Sequence, residues 1–532
     1  MKLPRLSYEK RGDPDVEHTV STQPHTKFQP IIHVDRSAWN LQGAAFIKPG
    51  TLKTLHVVGL PGCRQELKLA IVKKDFTEQL CAHHVHTTPG DHDNQLGKSG
   101  NVEEYLKWWF TACQRNDCNL VLLAEKDFDI YAKIKRTGDF QGYHTICAIG
   151  SKIQDDRNND HNKTGNRWQH FSNLALKVNL KLGGDNHWLD NEMLDKLLGG
   201  EESRRSTMIL GSDVTHPGNG SKIGTPSIAA VVGTVNAQFM SYRGSMRLQA
   251  GGQEQIDEVN LRSMVKERLE TWRLCNDDKL PTRILFHRDG VSESQFVNVE
   301  KSEIPQIREA YVDAGGNAKD LSICFFVVSK RHHTRFYAAT KNETYQSREK
   351  TQTGSRFYQN GNIKAGLLVD SVVTAPKPLN FFLQSHTAIK GTARSAHYYV
   401  LQNDTDIGIA NLQKLTMMLC YTFGRSTTGV SYATPAYAAD RLCDRGRSYI
   451  RHWAEDEFAD PIFEYDTYQD GNGKERKPTD VEILSEKRVM VDKLLHSPEV
   501  WGKNYHDDPN DNGKPLRLNP WHPNLDQGMF WM

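Results

Sequence analysis

Apolar and polar residues follow the periods of strands and helices in a first region that begins near Thr51. The runs LKTLHVVGL and CNLVLLAE are typical of strands, and VEEYLKWWFTAC between them has a helical period. The polar stretch DDRNNDHNKTGN (155–166) predicts a surface loop. The segment WQHFSNLALKVNLKLGG predicts a helix that ends at Gly183 and Gly184. This order of elements indicates an open α/β unit.

A second α/β region begins near Ser206. The runs TMILGSDV, SIAAVVGTV and AQFMSYRG predict three strands, and EQIDEVNLRSMVKERLETW predicts a long helix after them. Further strands are expected at TRILFHRDG, LSICFFVVS, GLLVD and FFLQSHT, with a helix from Gly408 to Phe423. The tail contains polar loops near 466–480 and 503–517 and ends in MFWM, which we expect to be buried because water is a poor solvent for apolar side chains.

The length of 532 residues is too great for a single compact core, so we expect at least two domains. Residues 1–30 are polar and contain proline, which is typical of a linker segment. We place the first domain at 31–185 and the second at 206–532, with a linker at 186–205 between them.

Composition limits the cellular compartment and the classes of binding partner that we expect for this chain. The net charge is only +2, from 67 basic and 65 acidic residues, so a nucleic acid would have to be met by local basic clusters. We find no apolar stretch of membrane-spanning length and no secretory signal, and we expect no membrane partner. The nine cysteines lack CxxC spacing, which favours a reducing compartment and a cytoplasmic protein.

Three aspartates are candidates for metal chemistry. Asp213 and Asp289 lie at the ends of predicted strands, and Asp440 lies near the start of a C-terminal helix. If they converge at one sheet edge, their oxygens would suit Mg²⁺ or Mn²⁺, and two such ions can support phosphodiester hydrolysis. Considered singly, each aspartate is better explained as the cap of a turn or helix.

A group of cysteine and histidine residues offers a second metal hypothesis. The segment CAHHVHTTPGDHD contains Cys81, His83, His84, His86 and His92, all of which are residue types that bind zinc. Their spacing fits no standard zinc pattern, so we favour a polar loop.

Two lysine-bearing segments have helical spacing. Tyr131 and Lys135 are four residues apart in YAKIK, and Lys177 and Lys181 are four apart in LKVNLK. Lysines and a stacking aromatic residue could hold a phosphate and its base. A single pair of this kind is more often a solvated helix face.

Longer strings point to a family. GSDVTHP, FHRDGVSESQF, SKRHHTRF, LQSHTAIKGTARSAHYYVL and TPAYAADR closely resemble successive motifs of the PIWI domain of eukaryotic Argonautes, over 206–532. The first domain resembles the MID domain of that family through YAKIKRTGD and NLALKVNLKLGG. The resemblance implies a Rossmann-like MID domain followed by an RNase H-like PIWI domain, and it is nearest to fungal, quelling-type members.

This resemblance implies a catalytic site. Asp213, Asp289 and Asp440 would hold two Mg²⁺ or Mn²⁺ ions, and the last position is often His in relatives. Cleaving members add a glutamate from the loop before the long helix. Matching the family's Gln-Glu pair selects Glu254, whereas counting from the MVKE block selects Glu258, and we favour Glu254.

The resemblance also implies contacts with a guide RNA. The 5′-phosphate would be bound by Tyr131, Lys135, Lys177, Lys181 and Arg445. The segment 124–129 matches the loop that reads the first base, and Ile146 stands where the family usually has Gln. Contacts to the guide backbone are expected from Lys330, Arg335, His386, Tyr421 and Arg425.

The implied function is cleavage of complementary target RNA by a monomer that is directed by a small guide RNA with a 5′-phosphate, in RNA silencing. Silencing proteins with Trp motifs are implied as partners. The alternative is a module that binds guide and target without cutting.

Overall fold

The computed structural model describes residues 3–10, 31–33, 37–39, 41, 43–61, 69–95, 101–115, 117–153, 166–218, 221, 224–351, 354–388, 391–454, 468–469, 475–502 and 517–532. The helices are α1 (Leu69–Ala82), α2 (Val102–Thr111), α3 (Phe128–Gln141), α4 (Asn166–Lys181), α5 (Asn191–Leu198), α6 (Glu201–Arg205), α7 (Glu258–Cys275), α8 (Phe296–Asp313), α9 (Ile409–Leu419), α10 (Thr434–Ala454), α11 (Asp480–Leu495) and α12 (Pro498–Trp501).

The strands are β1 (Arg5–Ser7), β2 (Glu9–Lys10), β3 (Ile31–His33), β4 (Ala44–Ala45), β5 (Thr54–Gly59), β6 (Thr88–Gln95), β7 (Cys118–Leu123), β8 (His144–Ile149), β9 (Trp188–Leu189), β10 (Thr207–Thr215), β11 (Ser227–Thr234), β12 (Tyr242–Gln249), β13 (Arg283–Asp289), β14 (Ser322–Ser329), β15 (Thr344–Thr351), β16 (Gly354–Ile363), β17 (Leu367–Val369), β18 (Leu379–Gln384), β19 (Ala396–Asn403), β20 (Tyr468–Gln469) and β21 (Glu475–Arg476).

The first α/β region contains a four-stranded parallel sheet in the order β6-β5-β7-β8. The central strand β7 is buried along its whole length, as expected for a parallel strand covered on both faces. The predicted strands at 52–60 and 118–125 and the helices α2 and α4 are present, which confirms the open α/β unit. Gly183, with φ +79°, follows α4 as predicted.

The second region is built on an eight-stranded sheet in the order β12-β11-β10-β13-β14-β19-β18-β17. The first three strands are antiparallel, and β13 and β14 then continue parallel to β10. Ser212 pairs with Arg288 in the register between β10 and β13. Asp213 and Asp289, the residues that follow this pair, therefore come to the same edge of the sheet.

Helix α10 packs against β10 and β11 on one side and against α3 of the first region on the other. Its Arg445 Nη1 donates to Asp139 Oδ2 at 2.7 Å, and the Tyr449 hydroxyl donates to the same oxygen at 2.7 Å. The C-terminal aromatic residues pack beside it, with Trp531 Nε1 donating to the Ala438 carbonyl at 3.2 Å. Phe530, Trp531 and Met532 are buried, which confirms the expectation for MFWM.

Three predicted boundaries are wrong, and one of them is the end of the helix expected to reach Phe423, since α9 ends at Leu419. The third strand of the second region begins at Tyr242 and not at Ala237, because the chain turns at Phe239, whose φ is +58° while its side chain is buried. The long helix begins at Glu258 and not at Glu254. Part of the loop predicted at 466–480 pairs as β20 and β21, and the loops at 155–166 and 503–517 lie almost entirely outside the described residues.

In the described parts of the chain, no helix combines the length and the apolar character that crossing a bilayer requires.

The Arg445–Asp139 pair generates a prediction about stability. Asp139→Asn should lower the free energy of unfolding by about 3 kcal/mol, because it leaves a buried guanidinium without its counter-charge. Asp129→Asn is a matched control on the same helix, since the Asp129 carboxylate is 67% exposed and also pairs with an α10 arginine, Arg451. Its effect should be within about 1 kcal/mol. Urea denaturation of the three proteins measures both, and equal effects would contradict the importance of the buried pair.

Candidate functional site

The first candidate site is a group of acidic residues at the edge of the large sheet. Asp213 is near the end of β10, Asp289 ends β13, and Asp440 is in the second turn of α10. Glu254 approaches from the loop before α7. A Cβ atom at Gly290 would lie 2.6 Å from Glu254 Oε1 and 3.7 Å from Asp213 Oδ1, so the loop closes against the strand ends only because position 290 is glycine.

The electrostatics show that these carboxylates act on one another. Asp213 is only 8% exposed, and burial, followed by repulsion from Asp289, Asp440 and Glu254, raises the pKa of Asp213 well above its usual value. Burial raises the pKa of Asp289 to about 6, and the Asp440 charge adds to this rise while a hydrogen bond from Tyr432 opposes it. The four acidic side chains therefore form one electrostatic cluster, which we call the acidic cluster.

Basic side chains compensate part of this charge. Arg441 donates to Asp440 Oδ2 from Nη2 at 2.5 Å and from Nε at 3.0 Å. Glu254 lies 2.7 Å from His216 Nε2 through one oxygen and 3.4 Å from Arg288 Nη1 through the other. Sequence reasoning missed these partners, although His216 and Arg288 stand inside the quoted strings GSDVTHP and FHRDG.

The donor set suits a hard divalent ion in its chemistry, because it consists of buried carboxylate oxygens that repel one another. As the side chains stand, no three His, Cys, Asp or Glu residues within the described ranges form a ready metal-binding group. Asp440 is paired with Arg441, and Glu254 is paired with His216 and Arg288. Of the two candidate glutamates, Glu254 lies beside Asp213, whereas Glu258 is exposed at the first turn of α7.

The second candidate site is a group of buried or half-buried basic residues on α3, α4, α10 and the segment between α9 and α10. We call it the basic cluster, and its members are Lys135, Lys177, Lys181, Arg425 and Arg445. Lys135 Nζ donates to the carbonyl and hydroxyl oxygens of Thr145 at 2.7 and 3.0 Å, and it lies 5.4 Å from the Tyr131 ring centre. Lys181 donates to the carbonyl of Phe530.

The charges of the basic cluster repel one another. Burial, followed by repulsion from Arg425 and Lys135, lowers the pKa of Lys177 to about 8. Burial lowers the pKa of Lys181 well below its usual value, and the charges of Arg445 and Lys135 add to the effect. Such a concentration of unfavourable positive charge is suited to an anion with more than one negative charge.

Comparison with known proteins decides the family. The Piwi domain matches residues 118–451, which is more than half of the chain. The chain belongs to the Piwi-domain family. Its similarity is to Argonautes, the group that the sequence strings indicated. The mixed α/β fold with an RNase H-like Piwi domain is confirmed as well.

Solved Argonaute structures share the fold. The C-terminal lobe of a budding yeast Argonaute has 24% sequence identity and a TM-score of 0.73, with 100% of this chain and 94% of that chain covered. The Kluyveromyces polysporus Argonaute with a guide RNA has 27% identity and a TM-score of 0.69, and the match covers 85% of this chain and 52% of that one. The N. crassa QDE-2 AGO MID-PIWI domains have 21% identity and a TM-score of 0.55, with 92% and 100% covered. The match thus spans about half the length of the K. polysporus protein.

The residues predicted to contact a guide backbone are not all in one place. Lys330 follows β14, and burial and Arg394 lower its pKa to about 8. Burial and Lys330 lower the pKa of His386 to about 4, so its imidazole is neutral at pH 7. Arg335 is half-buried and donates to the carbonyls of His332 and Thr334. Their role stays a prediction.

The other two members of that set have different surroundings. Tyr421 is fully buried, and its hydroxyl donates to the Ser385 carbonyl at 2.8 Å. Arg425 belongs electrostatically with the basic cluster, because burial lowers its pKa and Arg441 and Arg445 add to the effect. The structure therefore brings Arg425 to the predicted phosphate residues.

Two further expectations concern the first α/β region. Ile146 is a core residue of β8, so it offers no side-chain donor where relatives have Gln. In the segment 124–129, Asp127 caps α3, accepting from the Asp129 and Ile130 amides at 2.9 Å. Phe128, in the predicted base-reading loop, is 57% exposed, with Lys126 Nζ 4.5 Å and Arg451 Cζ 5.9 Å from its ring centre.

The Cys/His segment contains a packed histidine. His83 is buried, stacks on Phe46 at 4.8 Å, and makes hydrogen bonds to the Ala44 carbonyl and the Ser172 hydroxyl. Its surroundings fit a packing role, and the described residues include no metal-binding group of three there. The side chain of His92 lies outside the described part.

The lowered pKa of Lys177 generates a pH prediction. Lys177 is protonated below about pH 8 and neutral above it, whereas a phosphate monoester is already a dianion above pH 7. The affinity for uridine 5′-monophosphate, measured by calorimetry, should therefore fall by about 10-fold between pH 7 and pH 9.5 through loss of a charged contact.

Lys177→Arg supplies the control for this titration. A guanidinium stays protonated throughout the range, so the variant should lose much of the pH dependence. An unchanged pH dependence in Lys177→Arg would show that Lys177 does not contact the phosphate.

Proposed function

We propose that this chain binds a small guide RNA by its 5′-phosphate and cleaves complementary target RNA. The observation that carries the proposal is that one helix, α10, contributes Asp440 to the acidic cluster and, five residues later, Arg445 to the basic cluster. Residues 31–185 are proposed as the MID domain and 206–532 as the PIWI domain, in keeping with the two separate sheets.

The basic cluster would hold the guide terminus. A 5′-phosphate carries up to two negative charges, and its binding relieves the repulsion among Lys135, Lys177, Lys181, Arg425 and Arg445. The Tyr131 ring, which lies beside Lys135, would stack on the first base. Contacts of Lys330, Arg335 and His386 with the backbone would carry no sequence information, so pairing with the guide would select the target.

The acidic cluster would perform the cleavage. Asp213, Asp289 and Asp440 are the residues that would hold Mg²⁺ or Mn²⁺, which activates water and stabilises the leaving oxygen of a phosphodiester. Glu254 would complete the set, oriented by His216 on one oxygen and by Arg288 on the other.

A second candidate function is guide and target binding without cleavage. It is favoured by the pairing of Asp440 with Arg441, which commits that carboxylate to a guanidinium. Incubation of the purified chain with a 5′-phosphorylated guide, a matched target and Mg²⁺ separates the two functions. A single cut supports cleavage, target retention without a cut supports the binding module, and failure to prefer the phosphorylated guide contradicts both.

The positions of the two glutamates predict different mutant effects. Glu254→Gln should lower the single-turnover cleavage rate by about 100-fold, since a group placed against the reacting centre loses its charge. Glu258→Gln should leave the rate within about 2-fold, because Glu258 is exposed on the first turn of α7. Guide affinity should be the same for both. If Glu258→Gln is the inactive variant, the assignment of the loop is wrong.

Asp440 predicts a dependence on the metal supplied. Asp440→Ala should abolish cleavage, because an ion would lose both an oxygen ligand and a neutralising charge. Asp440→His should keep partial activity, and relatively more in Mn²⁺ than in Mg²⁺, since Mg²⁺ prefers hard oxygen ligands.

Guide binding has to be measured on the same Asp440 preparations, because Arg445 lies five residues along the same helix. Full cleavage by Asp440→Ala, with guide affinity intact, would remove Asp440 from the catalytic set.

A further inference from the structure

The loop that carries Glu254 is hydrogen-bonded to a carboxylate of α8 that has no role in the proposed cleavage. Glu303 is 0% exposed, and its Oε1 accepts from the Ile256 amide at 3.1 Å. Its Oε2 accepts from Arg288 Nε at 3.1 Å. One side chain thus holds both the backbone of the loop and the arginine that borders it.

Arg288 extends this connection to the acidic cluster. It is itself 0% exposed, and its Nη2 donates to the carbonyl of Glu254 while Nη1 donates to the carbonyl of Asp289. The same Nη1 lies 3.4 Å from Glu254 Oε1. The chain of contacts runs from Glu303 through Arg288 to both the backbone and the carboxylate of Glu254.

Glu303 and Glu254 both serve as counter-charges for Arg288, and this gives Glu303 a specific role. A buried guanidinium needs a counter-charge, and Glu303 supplies one at 3.1 Å, closer than the 3.4 Å to Glu254. If Glu303 were neutral, Arg288 would depend on Glu254 for compensation. The Glu254 carboxylate would then be drawn toward Arg288 and away from Asp213.

We infer that Glu303 is a positioning residue, which holds Arg288 and the 254–257 loop so that the Glu254 carboxylate faces Asp213. The inference rests on the proposed cleavage function for its kinetic consequence. The reduced mobility of the 254–257 loop is a separate consequence, and hydrogen exchange measures it without any cleavage.

Glu303→Gln is the test. Glutamine offers one acceptor oxygen and no charge, so either the Ile256 amide or Arg288 loses its partner. In the guide-loaded chain we expect single-turnover cleavage to fall by about 10- to 100-fold through misplacement of Glu254. Hydrogen exchange of the 254–257 amides should be faster, and guide affinity should stay within about 2-fold because the basic cluster is untouched.

Glu300→Gln is the matched control, since Glu300 lies on the same helix and is exposed. It should alter neither cleavage nor exchange. Cleavage and exchange of Glu303→Gln equal to those of the unmodified chain would overturn the inference, and so would slower cleavage with unchanged exchange. If the unmodified chain does not cut, the proposed cleavage fails, and the positioning role is then decided by exchange alone.

Loss of a buried charge could also unfold the protein, so a second variant keeps the charge. Glu303→Asp is one methylene shorter and cannot reach the Ile256 amide and Arg288 together. It should show an intermediate loss of cleavage and intermediate exchange. If Glu303→Gln does not fold, cleavage and hydrogen exchange of Glu303→Asp equal to those of the unmodified chain would overturn the inference.

Discussion

The buried ion pair between Arg445 and Asp139 is the contact on which the arrangement of the two clusters depends. It joins α10 of the second region to α3 of the first region, and Tyr449 donates to the same carboxylate. Because both charges are removed from water, neither helix can shift without exposing or separating them at a cost of several kcal/mol. The pair therefore fixes α10, and with it the positions of Asp440 and of the basic cluster.

The geometry of one helix explains how α10 contributes to two clusters of opposite charge. Asp440 and Arg445 are five residues apart, and at 3.6 residues per turn they point in directions that differ by about 140°. One direction leads to the edge of the large sheet, and the other leads to α3 and α4. The net charge of +2 conceals this separation, because the acidic and basic groups are concentrated in different places and nearly cancel in number.

Much of this could be predicted from the sequence, and the failures have physical causes. The buried strands and the strand-end positions of Asp213 and Asp289 follow from short apolar runs that are rich in β-branched residues and are bounded by turn residues. Sequence patterning does not predict α8, because Pro305 lies inside it and proline usually ends a helix. The roles of Arg288 and Glu303 depend on packing between distant segments, and no local pattern indicates them. The sequence predicts that the helix begins at Glu254 instead of Glu258 because the acidic residues of this segment suit the first turn of a helix and the loop before it equally well.

Both clusters place like charges in surroundings that disfavour them, so the folded chain carries unfavourable energy at its two candidate sites. Burial moves the pKa of Asp213 and Asp289 upward and that of Lys177 and Lys181 downward, which is the direction expected of like-charged groups that are held together away from water. A phosphate at one cluster and divalent ions at the other would supply those charges, and each would stabilise the folded state by mass action. Burial removes the hydration of these charged groups and so destabilises the ligand-free chain. It also makes the sites selective, because in a low dielectric only a ligand with the right charge and shape compensates for the lost hydration. The ion pairs of Arg445 with Asp139 and of Arg288 with Glu303 are two buried places where the chain provides this compensation from its own side chains, and both lie where a site must keep its shape before a ligand arrives.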